Sequence, residues 1–309
     1  MIEARAVSKR YGDKTAVDDL TFTVRPGVVT GFLGPNGAGK STTIRMIMGL
    51  DAPTSGSVTV NGKAYDRHPA PLHEVGALLE ARAVHTGRSA YNHLLALALT
   101  TGIPRRRVDE VIDLVGLTDV ARKRVGGFSL GMGQRLGVAA ALLGDPATLV
   151  LDEPVNGLDP QGILWIRNLL RNLAAEGRTV FVSSHLMSEM ALTAEHLIVI
   201  GKGKLIADTS VREFIDQASR NVVRVRTPQA AELRELLAGP GVTIIGAEPD
   251  LLEVTGRDSA DVGRVACRAA IPLEELSVVR ASLEEAFMEL TDDALEFGIA
   301  APAAERRAS

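Results

Sequence analysis

The stretch GPNGAGKST, Gly34–Thr42, has the spacing G-x-x-x-x-G-K-[ST]. In that pattern Gly34, Gly37 and Gly39 let backbone N–H groups turn inward on phosphate oxygens, with Pro35, Asn36 and Ala38 completing the loop. Lys40 can reach the outer phosphates and the Ser41 hydroxyl can ligate Mg2+. Thr42 continues into a helix whose N-terminus favours anions. Further along, TLVLDEP sets Asp152 and Glu153 at the end of an apolar run. Asp152 could hold Mg2+ through its water shell, and Glu153 could accept a proton from an attacking water. An isolated Asp-Glu pair is more often simply solvated; the phosphate loop upstream gives this one a chemical reading. His185, after TVFVSS, could touch a terminal phosphate, and Tyr11 could stack on an adenine ring. A lone histidine or an edge tyrosine is more commonly structural.

A second glycine-rich loop, GGFSLGMGQR at Gly126–Arg135, raises a separate question. Ser129 can cap the helix that follows, and Gly131 allows a ligand close to the backbone. One nucleotide has no need of two such helix starts separated by a helical insertion. Symmetry resolves the excess: each loop reads the nucleotide held by the other copy. Two chains then sandwich two ATP molecules head to tail about a two-fold axis.

The surrounding pattern says what must hold these residues. LTFTV and VVTGFL read as strands around a Pro26-Gly27 turn, and GSVTV as a short strand before an Asn61-Gly62 turn. From Ser89 to Leu117 the period becomes helical, with Val108, Val111, Ile112 and Val115 on one face. A helix follows Ser129 and stops at Gly144-Asp145-Pro146. ATLVLDEP, helix 162–175, TVFVSSH, helix 186–194 and HLIVIGKG then alternate strand and helix, which argues for a mainly parallel sheet. Near Arg220 the character changes to a β-α-β-β-α-β order, as in ferredoxin-like α+β domains. The Ala-rich GIAAPAAERRAS carries no core pattern and reads as a frayed tail.

Composition narrows the class. The chain has 309 residues, 46% apolar and 23% charged, enough for a large core or two domains. A net charge of −4 gives no basic field for nucleic acid. The single cysteine, Cys267, excludes an intramolecular disulfide framework and a cysteine-based zinc site. There is no apolar run like that of a signal peptide, and the longest apolar stretches fall short of the roughly 18 residues a membrane span needs. Any membrane role is expected to come through a partner.

Tyr11, GPNGAGKST, FSLGMGQR, TLVLDEP, NGLD and SSH together resemble the nucleotide-binding subunit of ABC transporters, over about residues 2–215. The resemblance implies an α/β P-loop NTPase of ABC type: a mainly parallel sheet core, antiparallel N-terminal strands and a helical subdomain at about 85–145. With the change of character near Arg220 and the Ala-rich ending, this gives 1–217 as the ATPase domain, 218–297 as a small α+β accessory domain and 298–309 as a disordered tail. By the same resemblance Tyr11 is the adenine-stacking aromatic and Lys40 with Ser41 the phosphate and Mg2+ pair. Ser129 and Gly131 form the signature turn, Asp152 and Glu153 the metal and catalytic carboxylates, Asp159 the aspartate of the following loop and His185 the switch histidine. Two departures stand out. The signature reads Phe128-Ser129-Leu130-Gly131-Met132 where Leu-Ser-Gly-Gly-Gln is common, and the expected glutamine is replaced by Glu80, a carboxylate that can still face Mg2+ or its waters and take part in catalysis but cannot donate when ionised. Both are similar to bacitracin- and daunorubicin-type exporter ATPases, and the ending RASLEEAFMELT resembles the daunorubicin type.

The implied function is a homodimeric ATP-hydrolysing subunit, cytoplasmic and held at the inner face of the membrane by a separate polytopic permease. The permease would export a drug, antibiotic or other hydrophobic small molecule. The alternative is a soluble ABC-type ATPase acting on ribosomes or nucleic acid. That class usually carries two ATPase units, a coiled-coil insertion or zinc-binding cysteines, and the interval from Lys40 to Ser129 has no sustained heptads. A P-loop kinase would leave the signature loop unexplained.

Overall fold

The structure, a computed structural model of the chain, describes residues 1–80, 84–218, 222–279 and 281–291. The expected tail at 298–309 and the residues directly after Glu80 lie outside that set. The chain divides into two compact units, Met1–Ser210 and Val211–Leu290.

The first unit opens with two long antiparallel strands, β1 (Ile2–Tyr11) and β2 (Lys14–Val24), followed by β3 (Val29–Leu33). Every residue of β3 is buried, as expected of a strand covered on both faces. The phosphate-type loop leads into α1 (Lys40–Ile47), and β4 (Ser55–Val60) then pairs with β1 to complete a three-stranded sheet. The Asn61-Gly62 turn follows, both residues at positive φ. A short α2 (Pro71–Glu74) precedes β5 (Val75–Leu78).

Helices α3 (Ala90–Thr100), α4 (Arg105–Leu114) and α5 (Leu130–Leu142) fill the expected helical region. Val108, Val111 and Ile112 are the buried residues of α4, matching the periodic face. After them come β6 (Thr148–Asp152), α6 (Pro160–Ala175), β7 (Thr179–Ser183), α7 (Met187–Thr193), β8 (His196–Gly201) and β9 (Lys204–Ser210). The described strands of the main sheet run β5-β6-β7-β3-β8-β9, all parallel except β9. Strand β9 was not legible. Its hairpin turns at Lys202 and Gly203, both at positive φ, and lysine is not a residue that advertises such a turn.

One core joins the two sheets. Phe22 of β2, Phe32 of β3 and Phe181 of β7 meet with ring centroids 5.0–6.1 Å apart, among Ile2, Val24, Ile44 and Val150. The division between the two units falls at Ser210/Val211, ahead of the expected 217/218. Helix α8 (Val211–Ala218), with Phe214 fully buried, belongs to the second unit, whereas composition changes only where the next strand begins.

In the second unit β10 (Val222–Arg226), α9 (Ala230–Leu237), β11 (Thr243–Glu248), β12 (Leu251–Thr255), α10 (Ser259–Arg268) and β13 (Glu275–Val279) follow the order read from the sequence. The sheet is antiparallel in the order β11-β12-β10-β13, the ferredoxin-like arrangement. Val223, Val225, Leu252 and Val254 pack against Leu233, Leu237, Val262 and Ala266 of α9 and α10. Helix α11 (Leu283–Thr291), which the strand-and-helix reading did not extend to, buries Leu283, Ala286 and Phe287.

Helix α5 lies so close to β5 that a Cβ on Gly76 would sit 1.9 Å from the Ala141 carbonyl oxygen. Backbone cannot yield cheaply there. Gly76→Ala is expected to lower unfolding stability by about 3 kcal/mol, read as a lower urea midpoint. An unshifted midpoint would mean that α5 does not press on the strand.

Candidate nucleotide site

The carboxyl ends of the parallel strands open onto a cleft of about 520 Å³. It is lined by Tyr11, Lys14, Ala16, Pro35, Asn36, Gly37, Gly39, Lys40, Ser41, Thr42, Asp152 and Glu153. The sheet thus brings together most residues singled out from the sequence, from positions more than a hundred residues apart. Gly39 stands at φ 103 at the start of α1, and a Cβ there would lie 2.5 Å from the Ala16 carbonyl oxygen. Gly37 also has positive φ, at 83. Both conformations favour glycine and leave the loop backbone accessible.

Lys40 donates from Nζ to the carbonyl oxygens of Gly34 at 2.5 Å and Pro35 at 3.1 Å. Burial pulls its ammonium below the ordinary lysine range, while the Glu153 and Asp152 carboxylates pull the other way. A polyphosphate in the cleft would add negative charge where this cation is short of water.

Asp152 and Glu153 are held by a residue the reading did not single out. Ser183, at the end of β7 and fully buried, donates from Oγ to Asp152 Oδ1 and accepts from the Glu153 N–H at 3.1 Å. The Glu153 N–H also lies 3.3 Å from the Ser183 carbonyl oxygen. Glu153 has φ 52, left-handed for a non-glycine residue, a conformation that surrounding bonds must maintain. Its carbonyl accepts from Gln134 Nε2 of α5 at 2.9 Å, and its Oε2 lies 2.7 Å from His185 Nδ1. Strand ends carrying Ser-Ser-His beside Asp-Glu held the signal for Ser183; nothing local pointed to a contact with Gln134.

His185 sits ahead of α7, and α7 is fastened to α6 by an Arg167–Glu189 ion pair at 2.6 Å. Helix α6 begins at Asp159, whose Oδ1 caps it by accepting from the Gly162 N–H at 2.8 Å, with Pro160 in the first turn. Asp159 is exposed and outside the cleft lining. Tyr11 is about half exposed, its hydroxyl donating to Asp51 at 3.0 Å. Arg45 donates to the same carboxylate at 2.7 Å, which holds Asp51 below the usual carboxylate range, and Lys9 stands 5.0 Å from the Tyr11 ring centroid.

Besides Asp159, the expected members Ser129, Gly131, Glu80 and His185 are outside the cleft lining, as are Gly34 and Ala38 of the loop. Ser129 caps α5, accepting from the Met132 N–H at 3.2 Å, and lines a different hollow with Thr86, Val125 and Phe128. A Cβ on Gly131 would lie 2.9 Å from the Gly157 carbonyl oxygen, so this turn packs on the loop before Asp159. Glu80 is exposed just past β5, on the same sheet edge as Asp152. Among the described residues no group of three or more His, Cys, Asp or Glu is arranged to hold a metal ion. Arg135, next to Gln134, stacks on Trp165 of α6 at 4.6 Å and donates to the Val115 carbonyl at 3.0 Å.

If the loop reads phosphate through its backbone, Gly39→Ala is expected to abolish nucleotide binding, because the new Cβ pushes against Ala16 at a backbone angle alanine resists. Titration with a fluorescent nucleotide measures this, and undiminished affinity would remove the loop from the site.

The family model described as ABC transporter matches residues 17–156, and one described as a domain of unknown function matches 221–284. The chain is 39% identical over 308 residues to an uncharacterized ABC transporter ATP-binding protein of Bacillus subtilis, YhcH, covering 96% of this chain and 97% of the relative. It is 43% identical over 211 residues to the bacitracin transport ATP-binding protein BcrA of Bacillus licheniformis, covering 67% and 69% of the two chains. Among solved structures it resembles an ATP-binding subunit of an ABC transporter, with 26% identity, a TM-score of 0.65 and coverage of 70% and 92%. No described helix is long and apolar enough to cross a membrane. With the relative matched almost end to end, the chain belongs to the ABC transporter family, as an ATPase subunit.

Proposed function

We propose that two copies of the chain close over two ATP molecules and use their hydrolysis to drive a separate membrane permease. The observation that carries this reading is the position of the signature turn. Ser129 and Gly131 are built as a capped helix start but do not line the cleft that holds Lys40, Asp152 and Glu153. A second copy related by a two-fold axis gives that turn a nucleotide to read. A dimeric cassette with ADP and phosphate is among the solved structures of the same fold.

In each site Tyr11 stacks on adenine, and the loop from Gly34 to Thr42 with Lys40 holds the phosphates. Ser41 and Asp152 would hold Mg2+, whose charge would offset that gathering on the phosphates. The donor set fits a hard cation: a hydroxyl and a carboxylate beside a phosphate cradle. Glu153 accepts the proton of the attacking water, and His185, bonded to that carboxylate, orients it toward the terminal phosphate. Asp159 and Glu80 act at the closed interface rather than in the open cleft. The bacitracin and lantibiotic transport relatives support a drug or antibiotic as the exported molecule. Glu80 and residues 84–94 face the permease, and the second unit is a non-catalytic module supporting dimerisation or permease contact.

Glu153→Gln is expected to cut ATP turnover by roughly a hundredfold or more and to accumulate an ATP-bound dimer. Gel filtration with Mg-ATP is the check; a variant that stays monomeric, or hydrolyses at the parental rate, sinks the proposal. Co-purification with a polytopic membrane protein tests the permease.

Glu80→Ala is expected to leave ATP affinity unchanged and lower kcat by roughly threefold to tenfold, as for a group engaged after closure. A kinetic profile matching the parent in both constants would take Glu80 out of the site.

A further inference from the structure

The carbonyl of Glu153 has two donors, the Asn156 N–H at 3.2 Å within its own turn and Gln134 Nε2 at 2.9 Å from another element. Gln134 is only 4% exposed, on the second turn of α5, a short way past Ser129. A buried amide on an otherwise apolar helix face is costly unless its bond is kept. Its partner is the residue with the left-handed φ of 52, which its backbone bonds must hold in place. The grip is reinforced nearby. Gly157 stands at φ 74, and a Cβ on it would lie 2.3 Å from Leu130, while one on Gly131 would meet the Gly157 carbonyl. The first turns of α5 therefore hold the segment from Glu153 to Gly157 at both of its ends.

From this geometry we infer that Gln134 is a positioning residue for hydrolysis. It ties the signature turn to the catalytic glutamate of the same chain. The inference rests on the dimer reading above. In such a dimer the turn at Ser129 touches one nucleotide while Glu153 of the same chain serves the other. Any shift of α5 on nucleotide contact is delivered through the Gln134 bond to the Glu153 backbone. Gln134 touches neither nucleotide; it sets where the carboxylate stands.

The test compares the parent, Gln134→Met and Gln134→Glu, all as full-length chains. Methionine keeps the volume and removes the donor; glutamate keeps the shape and sets an oxygen against the carbonyl. Both are expected to lose roughly tenfold to a hundredfold in kcat with KM for ATP within about twofold of the parent. With hydrolysis slowed and binding intact, both should accumulate the ATP-bound dimer on gel filtration, as expected of Glu153→Gln. Damage to α5 alone would weaken the signature turn and prevent the dimer. Parental kcat, loss of the dimer together with kcat, or two variants that both melt far below the parent would each overturn the inference. A parent without ATPase activity, or a Glu153→Gln chain that never dimerises, would instead strike the dimer reading itself.

Discussion

Strands β6 and β7 run parallel and finish on one rung, with Asp152 beside Ser183. That rung organises this end of the cleft. One buried hydroxyl binds the carboxylate of Asp152 and the N–H of Glu153, so two adjacent acidic residues are fixed from a neighbouring strand. Beyond the rung the chain leaves the sheet through the left-handed Glu153, which brings its carboxylate to His185. A slip of one residue between these strands would turn every side chain to the opposite face and separate serine from aspartate. The fully buried β3 and β7 and the shared phenylalanine core hold that register.

The same edge collects the phosphate loop. Strand β3 lies beside β7, and its loop delivers Lys40 toward Asp152 and Glu153, whose charges act on the lysine. Ligands of open α/β sheets commonly lie outside the carboxyl ends of strands, where loop backbones and helix starts converge. The antiparallel sheet adds what the parallel one lacks. Strand β1 ends at Tyr11, and Asp51, Arg45 and Lys9 surround that ring.

Where most of these residues gather was legible because it is written in short stretches. Glycines at required spacings, an Asp-Glu pair after an apolar run and a capping serine each announce a conformation in their own neighbourhood. The β-α-β-β-α-β order was legible for the same reason, each element carrying its own period. What stayed hidden was long-range or contrary to residue preference. Gln134 reaches Glu153 from another element, and an amide in a helix announces no partner. Strand β9 turns at Lys202, where asparagine or glycine would have marked the hairpin. Helix α8 looks like a continuation of the first unit because it is amphipathic and charged like the helices before it. Only its packing assigns it to the second.

Strand order carries a consequence for how the molecule is made. Strand β3 sits in the middle of the main sheet, yet its neighbours β7 and β8 are both far downstream in the chain. A ribosome that has just released the phosphate loop must continue on the order of ten seconds before either flanking strand exists. Until then Val29–Leu33, a strand destined for full burial, has no parallel partner, and the loop after it has no fixed base. Such long-range pairing slows folding and leaves apolar strand surface exposed to other chains. The nascent first half is therefore a natural client for chaperones, and grasp of nucleotide phosphates arrives late, as a property of the nearly completed first unit.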